Sequence, residues 1–160
     1  MSTIDAPERQ ARPLDGPAPH LLVIQAPYYA DVVGGMLRGA ERVLAEAEAT
    51  ADVVDVAGAF ELAQAIRIAL RGTTRFDGFV ALGCVVKGET DHYDFICSAV
   101  CQGVMDVSTE RGAAIGFGLL TVDSLAQAEA RSANDGHNKG AEAAAASLLQ
   151  IVAARRLGAA

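Results

Sequence analysis

The chain has 160 residues, a length that suits one domain with a real hydrophobic core. Its formal net charge of -7 argues against a nucleic-acid partner, because binding to a phosphate backbone depends on clustered Lys and Arg. Hydrophobic residues make up 51% of the chain, yet no apolar stretch approaches the roughly 20 residues that a membrane helix requires. We therefore expect neither a nucleic-acid partner nor a membrane partner.

The first 19 residues mix proline, acidic residues and arginine without periodicity or an apolar central block, unlike a signal peptide. We predict a flexible N-terminal tail over residues 1–19, a single α/β domain over residues 20–160 and a cytoplasmic location. The three cysteines, Cys84, Cys97 and Cys101, lack paired CxxC spacing. Buried thiols are therefore favoured over a metal or redox site.

The first half of the chain alternates strand and helix patterns. His20 to Ala26 is a continuous apolar run before Pro27, which is typical of a parallel strand buried on both faces. Asp31 is predicted to cap a helix whose apolar residues recur at three and four positions. Asp52 to Val56 is rich in valine and predicts a second strand, after which a helix begins near Phe60.

The second half continues the alternation. Gly78 to Leu82 predicts a third strand, with Gly83 at its end. The later predicted elements are, in chain order, a helix with His92 in its first turn that runs toward Gly112, a strand from Ile115 to Thr121, a short helix capped by Ser124, a polar link from Ser132 to Asn138, and an alanine-rich final helix.

Four repeats of strand and helix predict an α/β fold, a three-layer αβα sandwich around a four-stranded parallel sheet with right-handed crossovers. In such sheets ligands bind at the carboxyl ends of the strands. The segments that follow the four predicted strands are Pro27–Tyr29, Ala57–Glu61, Cys84–His92 and the residues from Thr121 onward. We expect the functional site at this edge of the sheet.

The segment from Gly88 to His92 has the composition of an anion site with a base beside it. Backbone N–H groups at a helix start are unpaired and carry partial positive charge, and Gly88 lets a ligand approach closely. His92 is a side chain that gives or takes a proton near neutral pH. The alternative is a structural one, since strand–Gly–helix junctions are common in α/β folds and a first-turn histidine is often a cap or surface residue.

Five ordered motifs resemble those of the 6,7-dimethyl-8-ribityllumazine synthase family, between about His20 and Val152. The motifs are Gly58-Ala59-Phe60-Glu61; Leu82-Gly83 with Lys87-Gly88-Glu89-Thr90 and His92; Phe117-Gly118-Leu119-Leu120-Thr121; Gln127-Ala128 with Arg131; and Asn138-Lys139-Gly140 with Glu142. Each motif alone is weak, whereas five in register are specific.

The resemblance implies a flavodoxin-like fold and a defined reaction. The family condenses 5-amino-6-(D-ribitylamino)uracil with 3,4-dihydroxy-2-butanone 4-phosphate, releases phosphate and water, and so performs the penultimate step of riboflavin synthesis. It uses no metal or cofactor. The chain is accordingly expected to be an enzyme, a transferase that acts on small-molecule substrates.

The resemblance also implies a role for each matching residue. His92 would move protons during imine formation, phosphate loss and ring closure, and Tyr28 would stack on the pyrimidine where the family usually has phenylalanine. The implied residues for the pyrimidine and ribityl chain are Tyr28, Ala59, Phe60, Glu61, Val85, Val86, Phe117 and Lys139. The implied residues for the phosphate are Gly88, Glu89, Thr90 and Arg131, since amide donors, a hydroxyl and a planar guanidinium suit a dianion.

Without the resemblance, several of these residues have simpler interpretations. Phe117 in a predicted strand is more often a core residue than a ligand contact. Arg131 and Lys139 have the pattern of solvated helix ends, and Tyr28 after a proline is as often a surface aromatic as a binding residue. His92 and the Gly88 turn depend least on the resemblance.

The family's site lies between adjacent subunits of a pentamer, so the resemblance implies a homo-oligomer, with riboflavin synthase as a candidate partner. The sequence leaves open whether pentamers stay single, pair as decamers or close into a sixty-subunit shell. Departures from the family pattern occur at Tyr29, Ala57, Ser98, Ala99, Asp135 and His137. Two alternatives to a fully active enzyme therefore stay open: a lumazine- or flavin-binding module, and a shell-forming protein.

Overall fold

A computed structural model describes residues 13–159, in which strands and helices alternate as the sequence predicted. The elements are β1 (His20–Gln25), α1 (Ala30–Glu46), β2 (Thr50–Asp55), a 3-10 turn (Ala59–Glu61), α2 (Leu62–Ala69), β3 (Gly78–Val86), α3 (His92–Arg111), β4 (Ile115–Val122), α4 (Leu125–Ser132) and α5 (Lys139–Arg156). Most of the tail predicted over residues 1–19, its first 12 residues, lies outside the described part of the chain.

The four strands form one parallel sheet in the order β2-β1-β3-β4. Helices α1, α4 and α5 cover one face, and α2 and α3 cover the other. This arrangement confirms the predicted αβα sandwich and its flavodoxin-like topology. None of the helices within residues 13–159 is long and apolar enough to span a membrane.

The two central strands supply most of the sheet's buried surface. Leu21, Val23 and Ile24 of β1 have no exposed surface, and Val80 and Leu82 of β3 are equally buried. Such runs are apolar on both faces because helices cover both sides of a parallel sheet. The edge strand β2 differs, since all six of its residues are exposed.

Two predicted boundaries were wrong. The third strand does not end at Gly83 but continues to Val86, which pairs with Val122 of β4. A Cβ atom at Gly83 would lie 2.9 Å from Leu119 Cδ1, so this glycine permits close packing inside the sheet and does not mark a turn. Asp31 is not the cap of α1 but lies in its first turn, where the helix dipole favours a carboxylate.

Helix α1 begins instead at a residue with an unusual backbone conformation. Tyr29 occupies the N-cap position with φ of 56° and ψ of 60°, the left-handed region that glycine and asparagine adopt more easily than other residues. Its carbonyl accepts hydrogen bonds from the N–H groups of Val32 and Val33.

The three cysteines are free thiols in different environments. Cys84 is buried, as predicted, and burial raises the pKa of its thiol to about 11. Cys97 is half-buried, and burial also raises its pKa. The prediction of a buried thiol was wrong for Cys101, which is exposed on α3.

Candidate active site

Three loops at the carboxyl end of the sheet carry the residues expected to bind substrate. Tyr28 follows β1, Ala59, Phe60 and Glu61 follow β2, and the Gly88 turn with His92 follows β3. Because β1, β2 and β3 are parallel, all three loops lie at the same edge of the sheet. We call this set the strand-end rim: Tyr28, Gly58–Glu61 and Gly88–His92.

The first two loops of the strand-end rim meet at Gly58. A Cβ atom placed on Gly58 would lie 3.3 Å from Glu61 Oε2 and 3.8 Å from Tyr28 Cε2. The aromatic ring and the carboxylate therefore approach the same point of the backbone. Tyr28 is 65% exposed and Phe60 is 50% exposed, so neither ring is buried in the core of this chain.

The 3-10 turn makes polar backbone groups available beside those rings. Glu61 N–H closes the turn by donating to Gly58 O at 3.2 Å. The first N–H groups of a helical segment have no partner within it, which leaves the N–H groups at the start of this turn as donors. A carboxylate with free amides suits a ligand that carries many hydroxyl groups and no charge.

The third loop is an open turn at the start of α3. Residues 87–90 are exposed, and a Cβ placed on Gly88 would meet nothing within 4 Å. His92 is the first residue of α3 and is exposed, so its imidazole stands at the helix N-terminus beside the turn. An anion at such a terminus is stabilised by unpaired N–H groups and the helix dipole.

A backbone hydrogen bond fixes this turn to the neighbouring strand. The Lys87 N–H donates to Val122 O at 2.8 Å, which extends the pairing of β3 with β4 by one residue. Burial raises the pKa of Tyr93, the residue next to His92. Val85 and Val86, expected to contact the pyrimidine, are half-buried at the end of β3.

The other expected site residues line a separate cavity of about 290 Å³ along the outer strand β4. We call it the β4 cavity; its lining residues include Phe117 and Thr121 from the strand, Arg131 from α4, and Lys139 and Glu142 from α5. No strand-end rim residue contributes to its described lining. Phe117 is 38% exposed, so the interpretation as a core residue was wrong.

Charged side chains in the β4 cavity are held in place. Lys139 Nζ donates to both carboxylate oxygens of Glu142 at 2.7 Å. The Arg131 guanidinium donates to Gln127 O at 2.9 Å. Arg131 and Lys139 are half-buried, so both side chains are only partly solvated.

Asn138 anchors the α5 end of the cavity. It is 1% exposed, and its amide nitrogen donates to Gly35 O, Ser132 O and Ala133 O at 2.9–3.1 Å. Its amide oxygen accepts from the first N–H groups of α5 at 3.0 Å. The start of α5 is therefore fixed to both α1 and α4.

Comparison with known proteins decides the family. The family model for 6,7-dimethyl-8-ribityllumazine synthase matches residues 18–155. The chain is similar to 6,7-dimethyl-8-ribityllumazine synthase of Agrobacterium fabrum, at 42% identity over 88% of this chain and 97% of the relative. The proteins of that name from Bartonella tribocorum and Micrococcus luteus are 40% and 37% identical, over 88% and 99% of this chain and 93% and 100% of the relatives.

The chain belongs to the 6,7-dimethyl-8-ribityllumazine synthase family. The resemblance stated from the sequence motifs is confirmed, as are the predictions of an enzyme and of lumazine synthesis in riboflavin biosynthesis. Small-molecule substrates follow from the same membership. Among residues 13–159, no three histidine, cysteine or carboxylate side chains converge in an arrangement that could hold a metal ion.

Two residues of this lumazine synthase family member, Asn138 and Glu142, have structural roles that were not predicted from the sequence. Glu142 was noted only as part of a motif, although Lys and Glu three positions apart on a helix are a recognisable ion-pair signal. Asn138 was also noted only as part of a motif, although asparagine before a helix is a known capping signal. Its hydrogen bond to Gly35 O joins residues 103 positions apart and has no local sequence signal.

Proposed function

We propose that the chain condenses 5-amino-6-(D-ribitylamino)uracil with 3,4-dihydroxy-2-butanone 4-phosphate to give 6,7-dimethyl-8-ribityllumazine, phosphate and water. Family membership supports the overall activity. The observation that supports the chemistry is the position of His92 at the start of α3, beside the open turn at Gly88 and at the same edge as Tyr28 and Glu61. An imidazole and an open turn thus share one edge of the sheet with groups that suit a flat, hydroxyl-rich ligand.

In this proposal the strand-end rim binds the reacting parts of both substrates. Gly88, Glu89 and Thr90 hold the phosphate through backbone donors and the threonine hydroxyl. Tyr28 stacks on the pyrimidine, which is supported by its exposed ring near Glu61. The N–H groups and carboxylate of Ala59–Glu61 bind the ribityl chain.

His92 is the proposed acid–base group. Condensation of an amine with a ketone forms an imine and releases water, which requires a proton to be delivered to the departing oxygen. Loss of phosphate and ring closure also move protons, and an imidazole can both give and take them near neutral pH. The exposed position of His92 beside the anion turn supports this role.

The β4 cavity of one subunit is proposed to complete the strand-end rim of a neighbouring subunit. Supporting this, Phe117, Arg131 and Lys139 line a cavity that includes none of the strand-end rim residues. Arg131 would bind the phosphate and Lys139 the ribityl or pyrimidine part, with Phe117, Val85 and Val86 forming apolar walls. A homo-oligomer is then required, and we propose a pentamer or a multiple of it.

The same proposal includes a cytoplasmic location and riboflavin synthase as a partner, since that enzyme uses the lumazine product. A weakly active binding protein is the alternative, and one observation favours it. Ser98 and Ala99, which depart from the family pattern, are both exposed on α3, the helix that carries His92. A change on this helix can slow proton transfer without removing the pocket.

Incubation of the purified protein with both substrates, followed by lumazine absorbance, tests the proposed activity. The enzyme should form lumazine well above the spontaneous rate at equal substrate concentrations. Binding of lumazine with no acceleration would favour the binding module instead. Light scattering on the same sample measures the mass, and a monomer with full activity would contradict the proposed site between subunits.

A further inference from the structure

Lys139 lies where helix stability alone would not place a lysine. It is the first residue of α5, and a cation near a helix N-terminus is disfavoured by the helix dipole. Its ammonium is instead stabilised by Glu142, whose two carboxylate oxygens each lie 2.7 Å from Nζ. Contacts of this length are typical of a charge-assisted ion pair.

The pair divides the cations of the β4 cavity into two kinds. Lys139 is neutralised by Glu142, with 23% and 32% of their side chains exposed. The Arg131 guanidinium contacts a backbone carbonyl, and it has no carboxylate partner within residues 13–159. One cation is thus left to bind an anion, and the other is held by the carboxylate.

The backbone of Glu142, whose carboxylate pairs with Lys139, is fixed by hydrogen bonds near the start of α5. The Glu142 N–H donates to Asn138 O at 3.1 Å in the first turn of α5. Asn138 itself is buried and bonded to the backbone of α1 and of the α4–α5 link. Glu142 therefore has little freedom to move its backbone when a ligand enters the cavity.

We infer that Glu142 is a positioning residue that holds the Lys139 ammonium away from the phosphate bound by Arg131. This inference rests on the proposed function, which assigns Lys139 to the ribityl-bearing substrate and Arg131 to the phosphate. Without Glu142, Lys139 would turn toward the dianion, because an unpaired ammonium is attracted to the nearest strong negative charge. Glu142 thus reserves Lys139 for the uncharged polyol and leaves a single side-chain cation for one phosphate group.

Glu142→Gln tests this role in the full-length protein, because it removes the charge at nearly constant volume. Calorimetric titration with inorganic phosphate should show binding about threefold to tenfold tighter than in the parent protein. The KM for the ribitylaminouracil should rise by a similar factor. Glu129→Gln is the matched control, since it removes an exposed glutamate of α4 that does not line the β4 cavity, and it should change neither value.

The double variant Lys139→Gln/Glu142→Gln separates positioning from a structural role. If Glu142 acts through Lys139, the tighter phosphate binding should disappear in the double variant, giving a non-additive cycle. A structural role alone would weaken both ligands in the single variant. Unchanged or weaker phosphate binding by Glu142→Gln would overturn the inference. Absence of lumazine formation by the parent protein would reject the proposed function, while the phosphate titrations would still decide the role of Glu142.

Discussion

The strand-end rim and the β4 cavity present different kinds of groups. The strand-end rim presents exposed rings, free backbone amides and a histidine on loops, and a side chain at Gly88 would meet no neighbour. The β4 cavity presents half-buried charges on helices, paired or bonded within the chain and anchored by Asn138. The proposed proton transfer is thus assigned to the exposed strand-end rim, and the paired charges belong to the anchored β4 cavity.

The largest effect is expected from His92→Ala in the strand-end rim. We expect kcat to fall about 100-fold to 10,000-fold, because a general acid–base group is lost, with KM values changed less than about threefold. Steady-state kinetics with each substrate measures this split. His137→Ala removes an exposed histidine of the α4–α5 link and serves as the control. An unchanged kcat in His92→Ala would rule out the proton-transfer role.

The anchor of the β4 cavity can be removed by Asn138→Ala. This change leaves three carbonyl groups and two N–H groups without their partner, so we expect a loss of about 2–4 kcal/mol in the free energy of unfolding. Urea unfolding at fixed protein concentration measures it. Asn134→Ala in the same link, at an exposed position, should stay within about 0.5 kcal/mol of the parent protein. Equal stability of the two variants would show that the anchor is dispensable.

Arg131→Ala tests which group the β4 cavity binds. We expect the KM for the phosphate-bearing substrate to rise about tenfold to 100-fold, since a charge-assisted hydrogen bond to a dianion is lost. The KM for the uracil substrate should hardly change. Arg38→Ala on the exposed side of α1 is the control for loss of a positive charge. Equal effects on both substrates would reject the assignment of Arg131 to the phosphate.

The smallest effect is expected from Tyr29→Asn, next to the strand-end rim. Asparagine adopts the left-handed region more easily, so we expect a gain of about 0.5–1 kcal/mol in the free energy of unfolding. Urea unfolding measures this gain as well. Glu48→Asn is a matched control, because Glu48 has the same φ of 56° just after α1. Lower stability of Tyr29→Asn alone would show that contacts of the tyrosine ring outweigh the backbone strain.

The sequence predicted the fold well because the relevant signals are local. Apolar runs mark β1 and β3, and three- and four-residue spacing marks α1, whose Met36 and Ala40 are fully buried. The predicted end of β3 at Gly83 was wrong because the sequence does not distinguish a glycine that permits close packing within a sheet from one that ends a strand. The Asp31 cap was wrong because the helix already begins at Ala30, after Tyr29 in the left-handed region, so Asp31 lies within the first turn.

For the candidate site too, some residues could be predicted from the sequence and others could not. The strand-end rim could be predicted, since residues that follow parallel strands must meet at one edge. The β4 cavity could be predicted only through the family resemblance, because Phe117, Arg131 and Lys139 come together through the packing of β4, α4 and α5. The anchoring role of Asn138 could not be predicted for the same reason, because its amide N–H group donates to Gly35 O of α1, 103 positions away in the chain.

The central claim, that the strand-end rim of one subunit works with the β4 cavity of another, is tested most directly by mixing two impaired variants. His92→Ala damages only the strand-end rim, and Arg131→Ala damages only the β4 cavity. The two chains are dissociated together and reassembled in equal amounts, and lumazine formation is measured at a phosphate-substrate concentration where each variant alone is slow. If sites form between subunits, random mixing should make about one quarter of them intact and restore about that share of parental activity. Activity no higher than the average of the two variants would contradict the account.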